Sequence, residues 1–371
     1  MKKIKILFFI HQLNSGGSQR IILNIVSSLN KKKYDVILVV INKIGEFSDF
    51  SHPGVKIIDL KTLHMRKSIF KILNVIYREN PDIVFSGLSI LNLLFSFFIP
   101  LIKLKKDIKF VARETNTLSM SNKTQKFTTI LNILYKIFYK NFDLIIAQSQ
   151  FMKLDLINNF NVPLSKLIVI NNLVDISYIE KNLRKNVETF HRDKNQIYLL
   201  SIGRLHKNKG FDLLLKMFAN LDNKYHLVIL GEGKERHNLE KLANQLGIYS
   251  RVQFLGFQKN PYRYMQSSDI VLITSRYEGF PNIVLESNVC GKPVIGFEAP
   301  GVSSEVIVND LNGCLIKNFN LNEMKKAIEK TVMKPFNSEK IKNHVVNKFH
   351  VDKIILEYEN IFSNLINEGI E

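Results

Sequence analysis

The sequence predicts an α/β protein made of two tandem doubly wound, Rossmann-like domains facing one cleft. Three observations carry that reading. Short apolar runs rich in β-branched and aromatic residues alternate with longer runs of helical period. The alternation lapses near residues 176–196 and then restarts. Each half opens with an apolar run, a glycine-containing loop and a helical pattern, at Gly16-Gly17 in the first half and from Gly203 to Gly210 in the second.

In the first half, apolar runs at 4–10, 34–41, 83–85, 109–112, 144–147 and 167–170 read as buried parallel strands, which are apolar almost continuously because both faces are covered. Segments 20–29 and 67–78 between them have helical period. These elements define an N-terminal domain over 1–175. Residues 176–195 crowd Glu180, Lys181, Arg184, Lys185, Glu188, Arg192, Asp193 and Lys194 together, and read as a linker with a helical piece. Runs at 197–202, 226–230, 252–255, 270–274 and 293–297 define a second domain over 196–348. An amphipathic pattern at 351–366 predicts a terminal helix within 349–371. Ligands of open α/β sheets bind outside the carboxyl ends of the strands. The loops after these runs are therefore where chemistry is expected.

Composition narrows the field. The 371 residues are 46% hydrophobic and 23% charged, a globular balance that excludes disordered, collagen-like and disulfide-scaffold classes. Cys290 and Cys314 are too few for a secreted framework, have no metal-site spacing and read as reduced thiols. The 52 basic and 33 acidic residues leave a formal charge of +19. The excess is 14 through Asp175 and 5 thereafter, so it sits in the first half. Basic surfaces attract nucleic acid, anionic lipid or phosphorylated substrates, or are simply solvated. The run after Met1-Lys2-Lys3 is too short for a signal peptide, and no small-residue cleavage site follows. The greasiest stretch, 90–102, is interrupted by Asn92, Ser96 and Pro100 and falls short of the ~20 residues a spanning helix needs. It reads as a core helix or one lying on a membrane surface.

Four loops carry chemistry. In Gly203-Arg204-Leu205-His206-Lys207-Asn208-Lys209-Gly210, Arg204 and Lys209 bracket a loop that leads into a helix. Helix N-terminal N–H groups, a guanidinium fork and an ammonium together make a diphosphate clamp that needs no metal. The plainer reading is basic residues in a solvated loop. The stretch Tyr277-Glu278-Gly279-Phe280-Pro281-Asn282 precedes a helix bearing Glu286, with Pro281 suited to its first position. A carboxylate such as Glu286 can accept two hydrogen bonds from a vicinal diol, a ribose for example. Asn14-Ser15-Gly16-Gly17 lets backbone approach a ligand, or is only a tight turn. Leu230-Gly231-Glu232-Gly233 and Gly256-Phe257 end further strands, and Arg113-Glu114-Thr115-Asn116 ends one in the first half, either facing the cleft or as surface polar residues.

These residues resemble the retaining glycosyltransferases of family four, which have the GT-B fold, over nearly the whole chain. The resemblance rests on Gly16-Gly17, Gly203-Arg204 with Lys209-Gly210, Gly231-Glu232-Gly233, Glu278-Gly279-Phe280-Pro281 with Glu286, and Gly291-Lys292-Pro293-Val294. It implies metal-free transfer of a sugar from a nucleotide diphosphate donor, with UDP-sugar expected, and retained anomeric configuration. It makes the first domain the acceptor-binding one and the second the nucleotide-sugar one, with the terminal helix crossing back to the first. By the same resemblance Glu278, Arg204 and Lys209 are catalytic, the last two holding the diphosphate, and Glu286 holds the ribose. Gly16, Gly17, Gly203, Gly231, Gly279, Phe280, Pro281 and Asn282 surround the donor, and Phe257 lies near the base. Arg113, Glu114 and Asn116 stand on the sugar or acceptor side, where many members have His or Asp. The family's usual Gly-Gly before a later glutamate is Pro300-Gly301-Val302 here, leading to Glu305.

The expected activity is a hexosyl- or N-acetylhexosaminyltransferase of capsule, lipopolysaccharide or other surface-glycan assembly. Its expected partners are a nucleotide-sugar, a lipid-linked or glycan acceptor and an anionic membrane surface, with no nucleic acid, metal or further cofactor. The expected location is cytoplasmic, peripheral on the inner face of the cell membrane. The alternatives are a nucleotide-sugar epimerase on the same fold and a non-catalytic basic polyanion-binding module.

Overall fold

The computed structural model describes residues 2–367 except 15, 63–64, 124–126, 186 and 188, with the side chains of 65–67 also outside the described set. The predicted loop residue Ser15 and the basic side chains of Arg66 and Lys67 fall outside it. The chain forms two compact units, residues 1–173 with 351–371, and residues 174–350.

The first unit contains β1 (Ile4–Ile10), α1 (Gly17–Ser28), β2 (Tyr34–Val40), β3 (Val55–Asp59), α2 (Met65–Glu79), β4 (Ile83–Ser86), α3 (Ser89–Lys103), β5 (Lys109–Arg113), α4 (Leu118–Asn122), α5 (Thr128–Phe138), β6 (Leu144–Ala147), α6 (Gln150–Phe160) and β7 (Leu167–Val169). Its sheet is parallel, in the order β3-β2-β1-β4-β5-β6-β7. Register follows from alternation: Leu7 and Phe9 enter the core under α2 and α3, while Ile6, Phe8 and Ile10 enter the opposite core under α1.

The second unit contains α7 (Ile176–Leu183), β8 (Ile197–Ile202), α8 (Phe211–Phe218), β9 (Tyr225–Leu230), α9 (Arg236–Gln245), β10 (Val252–Phe254), α10 (Pro261–Ser267), β11 (Ile270–Ile273), α11 (Asn282–Val289), β12 (Val294–Phe297), β13 (Gly313–Ile316), α12 (Leu321–Met333) and α13 (Ser338–Phe349). Its parallel sheet runs β10-β9-β8-β11-β12-β13. The final helix, α14 (Val351–Asn367), returns to the first unit and buries Ile354, Ile355, Tyr358 and Phe362 beside α1. Both units are doubly wound, with helices on either side of each parallel sheet.

Strands β3 and β13 carry no continuous apolar run: β3 is a half-exposed edge, and β13 begins with glycine. Residues 176–195 are not a free-standing connector. Asp175 caps α7 by accepting from Tyr178 N at 2.9 Å, and Ile179 and Phe190 are buried in the second unit's core. The apolar run 90–102 is a core helix, since Leu91, Phe95, Ile99 and Ile102 of α3 are all buried. Among the described residues no helix is long and apolar enough to cross a membrane.

Candidate active site

In the second sheet, β8 lies between β9 and β11. The chain leaves β8 through α8 toward β9, whereas β11 lies on the other side. Strand order therefore reverses between β8 and β11, and ligands bind at the carboxyl ends of such a switch point. The two loops that flank it are 203–210 and 274–281, which carry Lys209 and Glu278.

The fold holds these two side chains together. Lys209 Nζ donates to Glu278 Oε1 at 2.5 Å, and Ser275 Oγ donates to the same oxygen at 2.6 Å. Thr274 Oγ1 donates to the Lys209 carbonyl at 3.2 Å, which ties one loop to the other. That approach requires Gly210: its φ is +66°, and a Cβ there would stand 2.0 Å from the Thr274 carbonyl oxygen. Gly231 plays the same part after β9, where φ is +132° and a Cβ would stand 1.9 Å from the Gly203 carbonyl oxygen.

Two contributors were not legible as site residues in the sequence. Ser275 buttresses Glu278. Arg276 grips Asp212 in the first turn of α8 with a two-pronged pair, at 2.8 and 2.7 Å, and also donates to the Lys207 carbonyl. Beside Arg276 the Asp212 carboxyl is held below the usual carboxylate range. The positive end of α8 is thus already met by a carboxylate, which narrows the expected role of that helix terminus. The only sequence signal was position: a hydroxyl and a cation directly after a buried strand.

Other predicted residues are placed less uniformly. Arg204 is exposed and stands in the same loop as Lys209. Glu286 is buried in α11, one helix turn from Asn282. Phe280 is packed inward, edge-on to Phe349 at 5.9 Å, so its side chain serves the core. Pro281 stands one place before the helix it was expected to begin. Phe257 is exposed beside Gly256, whose carbonyl accepts from Gly231 N at 2.8 Å.

In the first unit, strand order reverses between β1 and β4, and Gly16 and Gly17 open α1 there. The expectation for Arg113 and Glu114 does not hold: neither side chain has any exposed surface. Arg113 donates through Nε to Tyr358 at 3.2 Å and through Nη2 to Asn172. Glu114 accepts from Ser89 Oγ and Asn92 Nδ2, each at 2.7 Å, and from Tyr139. Burial pushes its carboxyl up to about 7. Strand β5 runs one residue past the apolar run, to Arg113, and Glu114 directly after it is also buried, so only Asn116 of the three is exposed.

Known proteins share this fold. Residues 15–178 match the family model Glycosyltransferase Family 4, and residues 184–347 match Glycosyl transferases group 1. The chain belongs to glycosyltransferase family 4. This family 4 chain is 29% identical over 337 residues to a Campylobacter jejuni N-acetylgalactosamine-N,N'-diacetylbacillosaminyl-diphospho-undecaprenol 4-alpha-N-acetylgalactosaminyltransferase, covering 88% of this chain and 89% of that one. It is 30% identical over 257 residues to an uncharacterised glycosyltransferase of Methanocaldococcus jannaschii, spanning 66% of this chain and 63% of that relative. Its GT-B fold superposes on HepE of Anabaena, solved in complex with UDP and glucose, with a TM-score of 0.78 over 97% of this chain and 99% of that one, at 20% identity.

Proposed function

We propose that this family 4 chain is a metal-independent, retaining glycosyltransferase. It moves a hexosyl or N-acetylhexosaminyl group from a UDP-sugar to a lipid-linked or polysaccharide acceptor in surface-glycan assembly. The observation that carries the reading is the Lys209–Glu278–Ser275 cluster at the β8/β11 switch point. Breaking a glycosyl–diphosphate bond builds negative charge on the leaving oxygen. An ammonium has three donors, and Glu278 takes one, which leaves two for phosphate oxygens. Arg204 adds an exposed guanidinium suited to a bidentate phosphate contact. Fixed cations stabilise the departing diphosphate where charge develops. The transition state is loose and oxocarbenium-like, and the departing phosphate takes the acceptor's proton. Glu278 orients the donor sugar and is not a covalent nucleophile.

The donor assignment is supported by UDP bound in HepE, which shares the fold. The acceptor assignment is supported by the diphospho-undecaprenol compound in the name of the Campylobacter relative. Peripheral docking of the first unit on an anionic cytoplasmic leaflet is supported by its charge excess and by the outer face of α5, where Phe127, Ile130, Ile133 and Ile137 are exposed.

Turnover of a panel of nucleotide-sugars tests the reading. Lys209→Ala and Arg204→Ala each lower kcat/KM by at least ~100-fold, since one lost charge-stabilising donor costs about 2.7–4 kcal/mol. Activity survives EDTA, and NMR of the product finds the donor's anomeric configuration. Near-normal turnover in both variants, or loss with chelator reversed by Mg²⁺, overturns the clamp. Isomerised donor without transfer favours the epimerase. Polyanion binding with no turnover of any donor favours the binding module.

A further inference from the structure

A cavity of about 350 Å³ opens in the second unit, at the end of the strands opposite to the Lys209 and Glu278 loops. Its wall is formed by the residues just before β8, β11 and β12, and by the end of α12 and the start of α13. Strand β8 has six residues, so at about 3.3 Å each the cavity is roughly 20 Å from the loops that hold Lys209 and Glu278. The two sites share strands but no lining residue.

The charges of this cavity do not cancel. Arg192 is spoken for: its guanidinium donates to Asp269 at 2.6 Å and to the Ser267 carbonyl at 2.6 Å. Lys194 and Lys292 also line it; among the described residues neither ammonium makes a hydrogen bond or close ion pair, and Asp269 acts on Lys292 only at longer range. Lys292 is half-buried, and burial pulls its pKa below the usual lysine range, with Arg192 acting the same way and Asp269 against. A cation so placed is stabilised by an anion that enters from solvent. The wall carries further polar residues. Gln196 Oε1 is buried without a donor. Ser338, the first residue of α13, brings its hydroxyl and a helix N-terminal N–H to the wall, while Asn337 caps Lys340 N at 2.9 Å. The wall is tightly built: Gly291 has φ of +73°, and a Cβ there would stand 2.9 Å from Ser338 Cβ.

We infer that this cavity binds a small phosphate monoester at a site separate from the nucleotide-sugar loops. With Arg192 and Asp269 offsetting each other, Lys194 and Lys292 leave two positive charges. A phosphate monoester carries about −1.5 to −2 at neutral pH, which matches them better than a single carboxylate. The Ser338 hydroxyl and the N–H groups that open α13 add donors for the phosphate oxygens.

Calorimetric titration of the full chain with glycerol 1-phosphate tests this, with glycerol as the uncharged control. Saturable one-site binding is expected for the phosphate and none for glycerol. Lys292→Gln weakens it by roughly tenfold or more, the scale of one lost charge-assisted contact. Lys194→Gln weakens it in the same direction and, being on an exposed loop, settles the matter if Lys292→Gln does not fold. Lys209→Ala binds glycerol 1-phosphate like the parent, and excess UDP does not displace it. Failure of saturable binding, parent-like affinity in both cavity variants, or displacement by UDP would each overturn the site. None of these outcomes depends on transferase activity.

Discussion

At Glu114 a carboxyl with no exposed surface accepts hydrogen bonds from Ser89, Asn92 and Tyr139 and from the Thr115 backbone N–H. Desolvation outweighs them, and its pKa rises from the ordinary 4.5 to about 7. The folded chain then binds a proton that the unfolded chain has released. This contribution to stability is complete below the unfolded value and is lost as pH rises through the folded one. Glu114→Gln removes that dependence while keeping the contacts. The amide oxygen still accepts from Asn92 and Tyr139, and its nitrogen donates to Ser89 if that hydroxyl turns. Urea unfolding midpoints measured from pH 5 to pH 8 check this. The parent loses on the order of 1–3 kcal/mol across the range, and the variant stays flatter. Parallel curves for the two proteins would mean that Glu114 is ionised throughout. The same residue marks how far the sequence was legible at this scale. Lys209 and Glu278 stand in loops whose glycines and flanking strands are visible in the sequence. Arg113 and Glu114 also follow a strand, and nothing in their order distinguishes a side chain aimed outward from one turned into a polar interior.

Among elements, α3 and α5 exchange the roles that hydrophobicity suggests. The greasiest run became α3, which buries Leu91, Phe95, Ile99 and Ile102. The less conspicuous α5 is the one that shows an apolar face to solvent, with Ile130, Ile133 and Ile137 at 55%, 50% and 49% exposure and Phe127 at 68%. Spacing of three and four residues puts the isoleucines on one stripe. Hydrophobicity does not say whether another element covers a stripe, so the run 90–102 stood open between two readings and the stripe of α5 was not singled out at all. Between Glu114 and Asp143 the chain has no acidic residue, while Lys123, Lys136 and Lys140 are basic. If this face seats in a headgroup layer, Ile130→Ser with Ile133→Ser removes apolar area worth about 1–3 kcal/mol, or roughly five- to a hundredfold in partitioning. Co-sedimentation with anionic and neutral vesicles at low and high salt measures it. The parent is expected to bind anionic vesicles at low salt and the double variant much less. Equal binding by both proteins would move the docking surface elsewhere, and no binding by the parent would remove it.

At the scale of the whole molecule, the first unit is assembled from both ends of the sequence. The chain leaves it after Leu173 and returns at Val351. Parallel strands were legible because burial on both faces makes them continuously apolar, and the pattern at 351–366 was legible as a helix. Which core that helix covers is not written in its own periodicity, because any amphipathic stripe fits any uncovered sheet face of the right size. In the structure Phe362 meets Phe8, Tyr34 and Phe85 edge-on, at centroid distances of 6.3, 6.2 and 6.1 Å. Tyr34 donates its hydroxyl to the Glu359 carbonyl at 2.9 Å, and Arg113 reaches Tyr358. Phe362 has no exposed surface, so Phe362→Ala leaves a cavity among four rings and costs about 3–5 kcal/mol. Because the two units have separate cores, the loss falls on one of them. Hydrogen exchange read by mass spectrometry is expected to find β1, β2 and β4 deprotected in the variant, with β8, β9 and β11 unchanged. Truncation after residue 350 deepens the same pattern, since it strips four buried side chains from the first unit and none from the second. Protection lost equally in both sheets would show that the two units unfold as one, and the division into separate cores would then carry no energetic meaning.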